Sequence, residues 1–141
     1  MMDIQARYLV FNSALVLLAG LLVGVPYGRA IRRNAPDDVI RGWRLAHDTL
    51  TVGPTLGLAI AAVLSSLSVD TQIKSWLAWT WAVSNYGFCF SLPLAATVGQ
   101  RGRTLDKPLS NQLVFVGNMI GLGASSVGAV VLLYAAYVSL L

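Results

Sequence analysis

The sequence is poor in side chains that bind metals or move protons. It has one histidine, His47, one cysteine, Cys89, and no glutamate among 141 residues. All six acids are aspartates, at positions 3, 37, 38, 48, 70 and 106, each at or near the end of a hydrophobic run. A lone cysteine excludes an intramolecular disulfide. A zinc centre wants three or four ligands of these types, more than one chain owns. Metal chemistry here would rest on one strong ligand per chain, which leaves a coordination position free for substrate.

Charge is scarce as well: 11% of residues are charged and 56% are hydrophobic. Four stretches carry no charged side chain: Tyr8–Gly28, Thr49–Val69, Ser75–Gln100 and Pro108–Leu141. Crossing the hydrocarbon core takes about 20 helical residues, and each stretch is long enough. Alternating strand patterns are absent, and a helix in lipid satisfies its own backbone. The expected fold is an all-α, four-transmembrane-helix bundle in one domain, 1–141, with spans near 6–28, 43–68, 75–98 and 110–140. A cleavable leader accounts less well for the first run, which lacks a basic start and is too long. The net charge of +4 reflects bases flanking spans, so no nucleic-acid partner is expected.

Basic residues also orient the chain. Arg29, Arg32, Arg33, Arg41 and Arg44 lie between spans 1 and 2, and Arg101, Arg103 and Lys107 between spans 3 and 4. Only Arg7 and Lys74 lie on the other side. By the positive-inside tendency, loops 1 and 3 are expected in the cytoplasm. Span 1 is expected to end near Pro26. Asn34-Ala35-Pro36-Asp37-Asp38 reads as a helix start, with a capping side chain, a first-turn proline and acids at the positive dipole end. Pro54 and Pro93 are expected to interrupt their helices.

His47 sits about three turns into helix 2, and its bland reading is a half-solvated interfacial histidine. Trp43, one turn earlier, offers a flat surface suited to a macrocycle. Arg44 and Arg41 offer fixed positive charge for carboxylates. Haem b presents that combination of needs: iron wanting imidazole, a flat apolar ring and two propionates. Span 3 places Ser84, Asn85 and Cys89 at offsets that can line one face. Asn85, near mid-membrane, belongs in a helix contact or a pocket. Cys89 reads as a gap-filler or a soft ligand. In span 4, Gly117, Gly121, Ser125 and Gly128 form a small-residue seam, within the chain or between copies. Asn118 is a second amide, expected to face the same cavity as Asn85. A chain this small is expected to form a homo-oligomer.

Three motifs occur in order: Gly42-Trp43-x-x-Ala46-His47, Ser84-Asn85-x-Gly87-Phe88 and Arg101-Gly102-x-Thr104. Together they resemble the styrene oxide isomerase family, from helix 2 to the start of helix 4. The resemblance implies a trimer of four-span subunits with haem b between neighbours and His47 as the axial ligand. It implies that ferric iron polarises the oxygen of a small hydrophobic epoxide, which rearranges to a carbonyl compound by hydride migration. Three positions depart from the family's pocket. Cys89 stands where the family has tyrosine, Gly53 where it has asparagine and Trp81 where it has aspartate. The smaller Gly53 and Cys89 imply a roomier pocket, and Asn85 keeps its motif position. Two further readings stay open, a haem-dependent epoxide hydrolase or cyclase and a non-enzymatic haem-binding or electron-transfer subunit. The latter needs a second axial ligand, from Met119 or a neighbour. A cofactor-free packing protein is the blandest alternative.

Overall fold

Peptide groups in hydrocarbon find no water, so an apolar chain pairs them inside helices. The computed structural model describes residues 2–141 and consists of four α-helices: α1 (Ile4–Arg32), α2 (Asp37–Leu64), α3 (Thr71–Val98) and α4 (Leu109–Val138). Of these, α1, α2 and α4 are long and apolar enough to cross a membrane, as expected of a membrane protein. The remaining helix, α3, spans 28 residues but is the polar one. It buries Thr80, Ser84, Asn85 and Ser91, because it is the helix the other three touch. Both α1 and α2 pack on α3 and on each other, whereas α4 packs on α3 alone.

The termini of the helices differ from expectation at two places. Pro26 does not end α1, which continues to Arg32. Losing one amide is tolerated inside an apolar helix whose neighbours support the turn. Asn34 does not cap α2 either. It adopts φ 47° beyond the end of α1, with Asn34 N–H donating to Ile31 O (3.0 Å) and Ala35 N–H to Ala30 O (3.0 Å). That pairing is a Schellman motif with asparagine in the left-handed position. Pro36 then takes the cap position of α2, followed by Asp37 and Asp38 in its first turn. Pro54 and Pro93 lie within unbroken helices.

At the end away from the basic loops, Ala6, Leu9, Ile60, Ala61, Leu64, Leu77 and Ala78 form the apolar core. It is closed by an ion pair between Lys74 Nζ and Asp3 Oδ2 at 2.7 Å. Asp70 caps α3 there, its carboxylate accepting from Ile73 N–H at 2.8 Å. The α3–α4 seam is closer still. A Cβ on Gly87 would lie 2.8 Å from Gly121 N and 3.0 Å from Gly117 O. Ser84 Oγ donates to Gly121 O at 2.8 Å. Gly117, Gly121 and Gly128 of α4 therefore serve contact with α3 within one chain.

Candidate functional site

His47 is half-buried on the face of α2 that meets α1. Its Nδ1 lies 2.9 Å from the carbonyl oxygen of Gly20. A carbonyl oxygen only accepts, so Nδ1 carries the ring proton and donates it. In the neutral ring this leaves the lone pair on Nε2. Metal-binding histidines have this arrangement, in which a backbone carbonyl holds one nitrogen and sets the tautomer of the other.

The partner helix is shaped for the ring. A methyl on Gly24 would sit 3.2 Å from His47 Cε1 and 3.3 Å from Nδ1. Tyr27, one turn further, stacks its ring on the imidazole at 6.1 Å between centroids and 28° between planes. Gly20 serves twice. Pro54 deprives the Leu50 carbonyl of its helical amide, and a side chain at Gly20 would overlap that oxygen. Sequence reading missed Gly20, Gly24 and Tyr27. Their one signal is the spacing i, i+4, i+7, which puts them on one stripe of α1.

Trp43 is half-buried one turn before His47. Arg44 Nε lies 3.6 Å from Asp48 Oδ2, with both side chains exposed, so this pair holds the guanidinium only loosely. Arg41 does not share the His47 face. Six residues at 100° each put the two about 120° apart around α2, and Arg41 lines a separate cavity. Deeper along the His47 stripe, Thr51 and Thr55 border a hollow of about 230 Å³. Their hydroxyls donate to His47 O (2.9 Å) and Thr51 O (2.7 Å). Sequence reading missed both threonines, although 47, 51 and 55 are spaced four apart.

Ser84, Asn85 and Cys89 do not line one face. Ser84 turns to α4, while Asn85, 5% exposed, turns to α2. A Cβ on Gly53 would lie 3.0 Å from Asn85 Oδ1, and Asn85 Nδ2 is buried without a hydrogen-bond partner. Cys89 is a free, half-buried thiol. Trp81 Nε1 donates to Gly53 O at 3.2 Å, and its ring packs where Gly57 has no side chain. The room expected beside Gly53 is therefore taken by Asn85. Asn118 does not face Asn85: its Oδ1 accepts from Ser91 Oγ at 2.8 Å, and it lines the cavity that holds Arg41. Met119 is 44% exposed on a helix that touches neither α1 nor α2, so it is no axial partner for His47 of the same chain.

That second cavity, of about 540 Å³, opens between α2 and α4 over the end of α3. Arg41, Arg101 and Arg103 line it. The loop carrying the last two is clipped onto α4. Gly102, at φ 54°, donates its N–H to Asn111 Oδ1 at 3.1 Å. Asn111 Nδ2 returns bonds to Thr104 O (2.9 Å) and Asp106 O (3.0 Å).

Among the described residues no three histidine, cysteine, aspartate or glutamate side chains converge. No curated protein matches the chain. The family model for styrene oxide isomerase matches residues 5–137, nearly the whole chain, and the protein belongs to that family.

Proposed function

We propose that this protein is a haem-dependent membrane isomerase that rearranges a small hydrophobic epoxide to a carbonyl compound. Family membership supports an epoxide-isomerase type of activity. The cofactor is our own inference, and one observation carries it: the His47 ring, its Nδ1 proton committed to Gly20, with Nε2 left as a donor. A single neutral imidazole fits haem b, whose porphyrin supplies the other four equatorial ligands.

When bound, ferric haem supplies a Lewis acid for the epoxide oxygen. The chain's residues do the rest. His47 would hold the iron through Nε2, with the Gly20 carbonyl fixing the ring's tautomer and tilt. Tyr27 stacks on the imidazole, Trp43 one turn before it would offer flat apolar surface, and Arg44 would offer a cation for a carboxylate of the porphyrin edge. The side chains around this stripe are mainly apolar and keep water from positive charge that develops as a C–O bond opens. Migration of a neighbouring hydrogen is then favoured over hydration. A second copy would complete the site. By family resemblance the assembly is a trimer. Substrate reaches it from the bilayer, and the basic loops face the cytoplasm.

The test is an absorption spectrum of the detergent-purified protein, produced with haem in excess, beside His47→Ala. The wild type should show a Soret band and the variant should lose it. A colourless, folded wild type would overturn the cofactor assignment.

A further inference from the structure

Three guanidinium groups off the His47 stripe line the cavity between α2 and α4. Arg41 rises from α2, and Arg101 and Arg103 from the loop clipped onto α4. Among the described residues none of the three has an ion-pair partner, since the ion pairs present are Arg44–Asp48 and Lys74–Asp3. One carboxylate, Asp38, shares the cavity. All three arginines are exposed, so their mutual repulsion is screened, but together they give the mouth of the cavity a positive field that favours an anion.

The cavity changes character along its length. Below the arginines its floor and walls are Leu45, Leu92, Ala95 and Ala96. Gly42 keeps α2 close to Ala96, where a Cβ would meet the Ala96 Cα at 3.4 Å. Because α2 and α4 do not touch, this apolar part opens sideways, toward the hydrocarbon that surrounds the spans.

We propose that this cavity is a binding site for an anionic amphiphile, with phosphate or carboxylate oxygens on Arg41, Arg101 and Arg103 and an acyl chain leaving between α2 and α4. A membrane phospholipid or a free fatty acid carries that chemistry. Inorganic phosphate has the head without the chain. A cation near an anionic headgroup contributes about a five-fold gain in affinity, so removing two should lower affinity about twenty-five-fold.

The experiment is native mass spectrometry of the full chain in non-ionic detergent, titrated separately with phosphatidylglycerol, phosphatidylcholine, oleate and inorganic phosphate. Phosphatidylglycerol or oleate should bind at least tenfold more tightly than phosphatidylcholine, and phosphate should not compete at millimolar concentration. The double variant Arg101→Gln/Arg103→Gln should lose that preference, while Arg7→Gln, at the far end of α1, should keep it. Leu45→Trp should weaken binding by filling the apolar part. Equal binding of both phospholipids, or a double variant that binds like the wild type, overturns the proposal. So does loss of the Soret band with unchanged lipid binding in the double variant, because the arginines would then serve the porphyrin carboxylates. A protein that proves colourless leaves the lipid result standing, so the two readings fail separately.

Discussion

The imidazole of His47 and the carbonyl of Gly20 are joined at 2.9 Å across two helices, and the contact decides which ring nitrogen is free. Gly20 accepts this bond in addition to its place in the α1 ladder. The approach is possible because neither Gly20 nor Gly24 carries a side chain. Orientation of the candidate ligand is therefore built into α1, twenty-odd residues before the histidine itself.

Alanine substitutions along α1 should separate packing from ligand orientation. Gly20→Ala places a methyl against the Leu50 backbone, which has no rotamer to yield, and should cost about 1–3 kcal/mol. Gly24→Ala meets only the edge of the His47 ring at 3.2 Å, so it should cost less and instead turn the imidazole. Gly28→Ala finds nothing within 4 Å and should be neutral or slightly stabilising. Thermal unfolding in detergent ranks the three. A shifted Soret maximum in Gly24→Ala, absent in Gly28→Ala, marks reorientation.

Asn85 presents a buried amide nitrogen without a partner. A donor left unsatisfied in this way costs about 1–3 kcal/mol, so Asn85→Leu, which keeps the heavy-atom count and the branch at Cγ, should unfold at the same or a higher temperature. If that nitrogen meets substrate, turnover of an epoxide should fall at least tenfold in the same variant. Unchanged turnover with raised stability would assign Asn85 to packing alone.

Trp81 and Gly53 form a second cross-helix bond, from the indole N–H to a carbonyl 3.2 Å away. Trp81→Phe keeps the ring that fills the space beside Gly57 but loses the donor. Polar bonds between membrane helices contribute on the order of 1 kcal/mol, and the variant should lose about that much. Gly57→Ala should lose more, because its methyl overlaps Ser13 Oγ and approaches Trp81 Cδ1 to 2.9 Å. Equal stability of both variants with wild type, by chemical denaturation, would show that this crossing yields freely.

Much of the fold was legible in the sequence because a helix in lipid is announced by what it excludes: four charge-free runs mark the four helices, of which α1, α2 and α4 are long and apolar enough to cross a membrane. The misreadings are local. Pro26 reads as a stop only if water is waiting for the freed carbonyl, and Asn34 serves a helix end as readily as a start. Within the site, His47 stood out by scarcity. Its partners did not, since Gly20, Gly24 and Tyr27 belong to another helix and register between helices is set by packing. Two errors were avoidable by rotation alone. Ser84 and Asn85 are adjacent and so point about 100° apart, and Arg41 lies about 120° from His47.

The strongest structural test lies where α4 meets the rest. Its backbone approaches α3 at Gly87, where an added Cβ would meet Gly121 N at 2.8 Å and Gly121 Cα at 3.1 Å. Main-chain atoms have nowhere to rotate, so Gly87→Ala must push the helices apart. That would stretch the bond from Ser84 to Gly121. Overpacking of this kind costs about 1–3 kcal/mol. Since α4 touches neither α1 nor α2, the damage should stay on one side. Protease sensitivity near the loop before α4 should rise, whereas a spectrum reporting the His47 environment should not change. Gly123→Ala, with nothing within 4 Å, is the matched control on α4. A Gly87→Ala protein as stable and as protease-resistant as wild type would mean that α4 is not held by this seam, and its attachment would have to come from a neighbouring copy.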